Sequence, residues 1–430
     1  MSAAVTSIVL LAFCSGVSLT DYYRFGTYLT PFGVMVWPYV IVVTSINLVG
    51  IHFGYFPVSL LSAVIVILHF IFFYLGGQII FLLIGKKNIN DEAETSKNIR
   101  EILEVYRPLF VILAIISVVA GLIHFRQSLN EVGGFINIAS EEFDEAYGTG
   151  VLSHLQNLGR ISFIFLVGDF LVHRKKYILF ILLGVFFVIF IRLVKYHIFG
   201  IVLGAYFFCL INGIIKFSIR KILLYSLAIF FLFGATYYLG FLVVGLDYAL
   251  DIETNIRFLN LFFTYLFGPP IAFSEIIEGT KYPIFSYKEI FAVPINIYKT
   301  ILLDENLVNI QIRNWVPVSN NLNMFHYANV FGAVGMLYMY LGIFGSLFFM
   351  FSLGAIINFF WVWSLRVKYA IGVQLVYSLL MAFLAVSFFD LYFNKLPTYE
   401  STFYMLVIPP AYLAFYKIMN ANSLKLWQNA

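Results

Sequence analysis

The sequence predicts an all-α polytopic membrane protein of about eleven transmembrane helices. Three observations lead there. Hydrophobic residues fill 62% of the 430 positions and charged residues only 11%, against roughly a quarter charged in soluble domains. So few ionisable groups leave little of the chain facing water. Apolar runs recur from end to end, and about 20 apolar residues cross roughly 30 Å of hydrocarbon as a helix. The runs are continuous rather than alternating, which excludes a β-barrel. In lipid the backbone must close its own hydrogen bonds, which calls for helices.

Taken in order, the runs place spans at Ala3–Leu19, Gly33–Gly50, Pro57–Gly85, Pro108–Phe125, Ile161–Val172, Tyr177–Ile191, Tyr196–Gly213, Ile222–Gly245, Val330–Ser364, Ala370–Phe389 and Thr402–Phe415. The first run lacks a basic start and is followed at once by further spans, so no cleavable signal peptide is expected. The stretch Tyr177–Gly213 is apolar except for Arg192, Lys195 and His197. As one straight helix it would run about 55 Å, nearly twice the hydrocarbon thickness, so a turn is expected around Arg192–Lys195.

Orientation follows from basic residues. Placing KKNINDEAETSKNIREILEVYR in the cytoplasm puts most of the 26 Lys and Arg on that side and most of the 22 Asp and Glu on the other. The N-terminus then lies outside and the C-terminus inside. Residues 1–430 read as a single integral membrane domain with two long outer segments, 126–160 and 246–329. Within the second, FLNLFFTYLFGPPIAF is apolar but holds Pro269 and Pro270. It reads as a helix at the membrane surface or capping a cavity.

Several function classes are excluded. A net charge of +4 carries no nucleic-acid signature. Cys14 and Cys209 fall in different apolar runs, so neither a disulfide nor a metal site is expected. No phosphate-cradling glycine loop, metal-ligand histidine spacing or nucleophile elbow occurs. What remains is charge near hydrocarbon, which usually faces a cavity or a partner.

Arg192 and Lys195, three residues apart, would share a helical face. Two cations there suit a phosphate or pyrophosphate, with Arg donating as a fork and Lys acting as a point charge. Snorkelling of both to the interface is the plainer alternative. Arg257, in DIETNIRFLN, and Arg313, in NIQIRNWVPVSNN, bracket the large loop and could equally be solvated loop residues. His326, in NNLNMFHYANVFG, could accept a proton near neutrality, or could simply be hydrogen-bonded at the interface. His124 and His154 are weaker candidates. Asp390 and Lys395 share a further outer loop. Asp169 is the one acid inside a span and reads as a partner for the basic HRKK that follows it.

Two stretches carry a resemblance: DYYRFGTYLTPFGVMVWPYV, and the run from Asn323 to Trp361 with Asn323, Phe325, Gly342, Gly345, Leu353 and Gly354 at the matching positions. There and in layout the chain resembles the oligosaccharide repeat-unit polymerases of bacterial surface polysaccharide synthesis, the O-antigen polymerase type. His326 stands where relatives often have Thr, and Tyr340 where an acid is common.

The resemblance implies a membrane fold similar to the C-type glycosyltransferases and a metal-independent enzyme with no cofactor. Its substrate would be an undecaprenyl pyrophosphate-linked oligosaccharide, polymerised at the periplasmic face of the inner membrane. Membrane lipid and a chain-length regulator protein are the implied partners. Arg192, Lys195, Arg257, Arg313, Asn323 and Lys395 would bind substrate. Arg192 and Arg313 would stabilise the leaving group, and His326 would be the base. A ligase that moves the finished glycan onto lipid A core shares this layout, and a transporter of lipid-linked sugars is the reading from another class.

Overall fold

The computed structural model describes residues 2–84, 92–134, 137–138, 140–191, 195–218, 252–279, 285–303, 306–308, 315–320, 326–367 and 370–419, with isolated positions between 220 and 238. Among them the chain is almost entirely helical. The long helices are α1 (Ser2–Phe25), α2 (Pro31–Leu48), α3 (Leu60–Ile84), α4 (Glu92–Glu131), α6 (Gly150–His173) and α8 (Lys195–Ile211), with α5 (Glu141–Gly148) and α7 (Lys176–Phe190) between them. There follow α9 (Ile252–Glu278), α10 (Tyr287–Ile290), α11 (Ala292–Ile301), α12 (Gly332–Arg366), α13 (Ile371–Ala385) and α14 (Leu396–Met419). Two short strands, β1 (Val316–Pro317) and β2 (Tyr327–Ala328), pair antiparallel. Eight of the described helices are long and apolar enough to cross a membrane, and three shorter apolar ones accompany them.

The chain divides into two compact units. The first comprises Met1–Ile89, Tyr248–Val362 and Phe383–Leu396; the second comprises Asn90–Asp247, Trp363–Ala382 and Pro397–Ala430.

In the first unit, glycines let α3 and α12 meet backbone to backbone. A Cβ on Gly76 would overlap the Phe351 carbonyl, and one on Gly354 would overlap the Phe73 carbonyl. Small residues at such contacts allow close helix approach where lipid offers no hydrophobic drive. Asn47 ties α2 to its neighbours, donating to the Ala3 carbonyl at 3.1 Å and accepting from Val58 N at 2.9 Å. In the second unit α4 and α6 form the most extensive helix contact. Gly159 sits where a Cβ would crowd Ser117, and Ser117 Oγ donates to the Gln156 carbonyl at 3.1 Å.

Two expectations change. Segment 126–160, read as an outer loop, holds the end of α4, all of α5 and the first three turns of α6. The polar run SHLQNLGR lowers local hydropathy, which set the expected start of the span at Ile161; in the fold Gln156 pairs with His124, Asn157 with Glu400 and Arg160 with His197. The stretch 258–273 lies within one continuous 27-residue helix, α9, that includes both prolines. Its apolar part, Asn255–Glu278, is long enough to span, and its contacts run along the α2–α3 connection through Tyr55 and Ser59. Tyr177–Gly213 forms two helices, α7 and α8, on either side of residues 192–194, as its length required. The expected span Ile222–Gly245 lies largely outside the described residues.

Candidate functional site

The polar groups of the second unit gather on one face of α6. His154, Asn157 and Arg160 recur every three residues, a spacing that keeps side chains on one face of a helix. Gly150, at φ +79°, opens the helix in the left-handed region where glycine is favoured. Seven residues further along, the stripe enters the apolar bundle. Asn157 and Arg160 are buried, Arg160 to 7% exposure. Charge at that depth needs partners.

Each has one. Glu400, near the start of α14, receives His154 Nδ1 on one carboxylate oxygen and Asn157 Nδ2 on the other. One turn along α6, Arg160 Nη2 donates to His197 Nε2 at 3.2 Å. An arginine can only donate, so that nitrogen accepts and the His197 proton sits on Nδ1. The guanidinium also lies 6.0 Å from the centre of the Tyr196 ring, within cation–π range. Beside the stripe, Gln156 Nε2 meets His124 Nδ1 at 2.9 Å, and the His124 ring packs 5.1 Å from Tyr147.

This arrangement unites a buried cation, two imidazoles and a carboxylate at one end of the unit. His197 and Tyr196 belong to the first turn of α8, which Lys195 opens. Chemically the cluster can hold an anion at Arg160 and can take a proton at the Glu400–His154 pair. Among the described residues no three His, Cys, Asp or Glu side chains come together as a metal-ligand set.

At the far end of α6 a different cluster forms. Asp169, fully buried, accepts from Arg107 Nε at 2.7 Å and Arg107 Nη2 at 2.9 Å. His173 Nδ1 lies 2.7 Å from Asp169 and its Nε2 3.2 Å from Glu104. The expected pairing of Asp169 with HRKK thus holds for His173, while the principal partner is Arg107 of α4.

In the first unit, His326 packs against Tyr55, with ring centres 5.8 Å apart. Its backbone carbonyl accepts from Val318 N at 2.9 Å. Tyr55 Oη lies 3.2 Å from Thr264 Oγ1 and 3.4 Å from the Asn260 carbonyl. Burial lowers the His326 pKa and raises that of Tyr55, the Thr264 contact opposing the latter. His326 is therefore held neutral, the form that accepts a proton. Arg257 is exposed on α9, one turn before Asn260. Lys395 Nζ lies 4.0 Å from Asp390.

Of the residues singled out from sequence, Arg192, Arg313 and Asn323 lie outside the described residues. Arg257, His326 and Lys395 fall in the first unit and Lys195 in the second. Sequence reasoning missed Asn157, Arg160 and Glu400 as site residues. The signal that could have found the first two is a polar stripe at three-residue spacing running into an apolar helix. For Glu400 no local signal exists, because its partners lie some 240 residues away.

No curated protein and no solved structure matches the chain. Residues 41–417 match the family described as Family of unknown function (DUF6337), and the chain belongs to that family.

Proposed function

We propose that this protein is a membrane glycosyltransferase that passes a growing glycan from undecaprenyl pyrophosphate to a lipid-linked repeat unit at the outer face of the bacterial inner membrane. The observation that carries the reading is the stripe His154–Asn157–Arg160, buried from Asn157 onward, with His197 and Glu400 against it. Transfer breaks the bond from the anomeric carbon to pyrophosphate and forms one to the acceptor oxygen. The hydroxyl proton must go to a base, and the carrier leaves with the bonding electron pair and added negative charge.

Arg160, bonded to His197 in the first turn of α8, supplies fixed positive charge for that leaving group. Glu400, which holds His154 and Asn157 on the same stripe, is the first candidate proton acceptor. His326 is the second candidate base, its burial keeping the imidazole neutral. Arg192, Lys195, Arg257, Arg313, Asn323 and Lys395 are the substrate-binding residues that the resemblance implies.

One observation favours a second reading. α12 is interrupted at Gly342, where φ is 65° and ψ −176°, and broken helices serve transporters as substrate or ion sites. A carrier of the same lipid-linked sugars is the alternative.

Purified protein in liposomes with lipid-linked repeat units alone separates the readings. A ladder of products supports the polymerase. Product only after addition of lipid A core marks a ligase, and movement of the lipid across the bilayer without a ladder marks a transporter. In cells, deletion should leave lipopolysaccharide with core plus one unit; an unchanged ladder refutes the proposal. Arg192→Ala should abolish polymer while membrane insertion persists.

A further inference from the structure

The first unit contains a second polar site, remote in sequence from the stripe on α6. Asp21, in the last turn of α1, is 2% exposed. Its Oδ2 accepts from Thr30 Oγ1 at 2.7 Å and the Tyr74 hydroxyl also turns toward the carboxylate, while Oδ1 is buried with no close donor. The carboxylate lines a small cavity that Tyr74, Gln78 and Asn358 share, walled by Phe25, Phe73 and Trp361 among other rings. The space left is about that of one water molecule.

The nearest cation does not fill the gap. Arg24 Nη1 donates to Gln78 Oε1. Its guanidinium is held over Phe25 and Phe81, 5.2 and 5.1 Å from the ring centres. The usual solution for a buried carboxylate, a direct arginine pair, is thus passed over although the arginine is three residues away. Thr30 is also committed, accepting from Gly33 N at the start of α2 while donating to Asp21. Asn358 donates its amide nitrogen to the Gly354 carbonyl at 2.8 Å, which leaves its amide oxygen for the cavity.

The geometry points to a binding site for one monovalent alkali cation, held by Asp21 Oδ1 with neutral oxygens from Tyr74 and Asn358. A carboxylate taken out of water needs a compensating charge, and hard oxygen donors suit a small hard cation. The size of the space excludes organic amines. Arg24 close by selects against a divalent ion, since one carboxylate would then face three positive charges. The site stands independently of the reading of the second unit.

The test uses the full-length protein in detergent or nanodiscs and radioactive Na+ as probe, at constant ionic strength set with choline chloride. The expected result is one saturable Na+ site per chain, a higher melting temperature in NaCl than in choline chloride, and loss of both in Asp21→Asn. Tyr74→Phe removes one oxygen, keeps the ring and should weaken binding several-fold. Absence of saturable binding in the unmodified protein overturns the proposal. So does unchanged affinity in Asp21→Asn or, should that variant not fold, in Tyr74→Phe. Stabilisation that follows pH and ignores Na+ also overturns it, because the occupant is then a proton.

Discussion

Asp169→Ala removes the principal partner of a buried arginine and leaves Arg107 inside the second unit with only the exposed Glu104 carboxylate, 3.9 Å away, against its charge. Asp169 is fully buried and the Arg107 side chain is 9% exposed. The bond is a fork, with two donors at 2.7 and 2.9 Å. Breaking such a pair from one side costs about 3–5 kcal/mol. At 1.4 kcal/mol per decade that is more than a hundredfold in the folded-to-unfolded ratio. Replacing both residues with apolar ones of similar volume, Arg107→Met with Asp169→Leu, removes the orphaned charge along with the bond. That change is expected to cost far less than the single variant, because the desolvation of both ions disappears with it. The pair bridges α4 and α6, so the effect should be read on unfolding of the whole protein in mild detergent with a denaturant titration. A double-mutant cycle through the single variants then isolates the coupling. A cost below about 1 kcal/mol for Asp169→Ala, or a double variant that loses the sum of both singles, refutes the reasoning. Asp169 would then be free for a role in transport or catalysis, the usual first suspicion for an acid at membrane depth.

Other outcomes follow from the same contacts. Arg160→Ala should lower the initial rate of ladder formation about 10²–10³-fold, the scale of a lost charge-stabilising donor, with Arg160→Lys recovering part of it. Gly76→Ala should destabilise, because the added methyl overlaps the Phe351 carbonyl. Gly16→Ala, with nothing within 4 Å of the new atom, should stabilise by about 0.5–1 kcal/mol; denaturant midpoints compare them directly. Burial lowers the His326 pKa, so the folded chain binds fewer protons there than the unfolded chain. Its contribution is complete above about pH 6.5 and declines as pH falls below it, and His326→Gln should flatten that part of the stability profile. Tyr55→Phe, which removes a hydroxyl shared with Thr264, should cost about 1 kcal/mol in the same assay.

The length and continuity of the apolar runs were enough to define the class. Hydrogen bonding in lipid is local to each helix, so helix formation can be read from any twenty residues without knowing the neighbours. The division of Tyr177–Gly213 into α7 and α8 was legible for the same reason, since length alone forbids one helix across it. The N-terminal turns of α6 were not. His154, Gln156, Asn157 and Arg160 resemble a polar loop by composition, and only the carboxylate of Glu400 and the imidazoles of His197 and His124 make them affordable inside a bundle. Which polar residues meet depends on how helices rotate and where their glycines let them approach. Composition therefore determined what kind of elements this chain forms, and tertiary packing decided which buried charges found partners, because a partner's position is set by the fold and not by its distance along the chain.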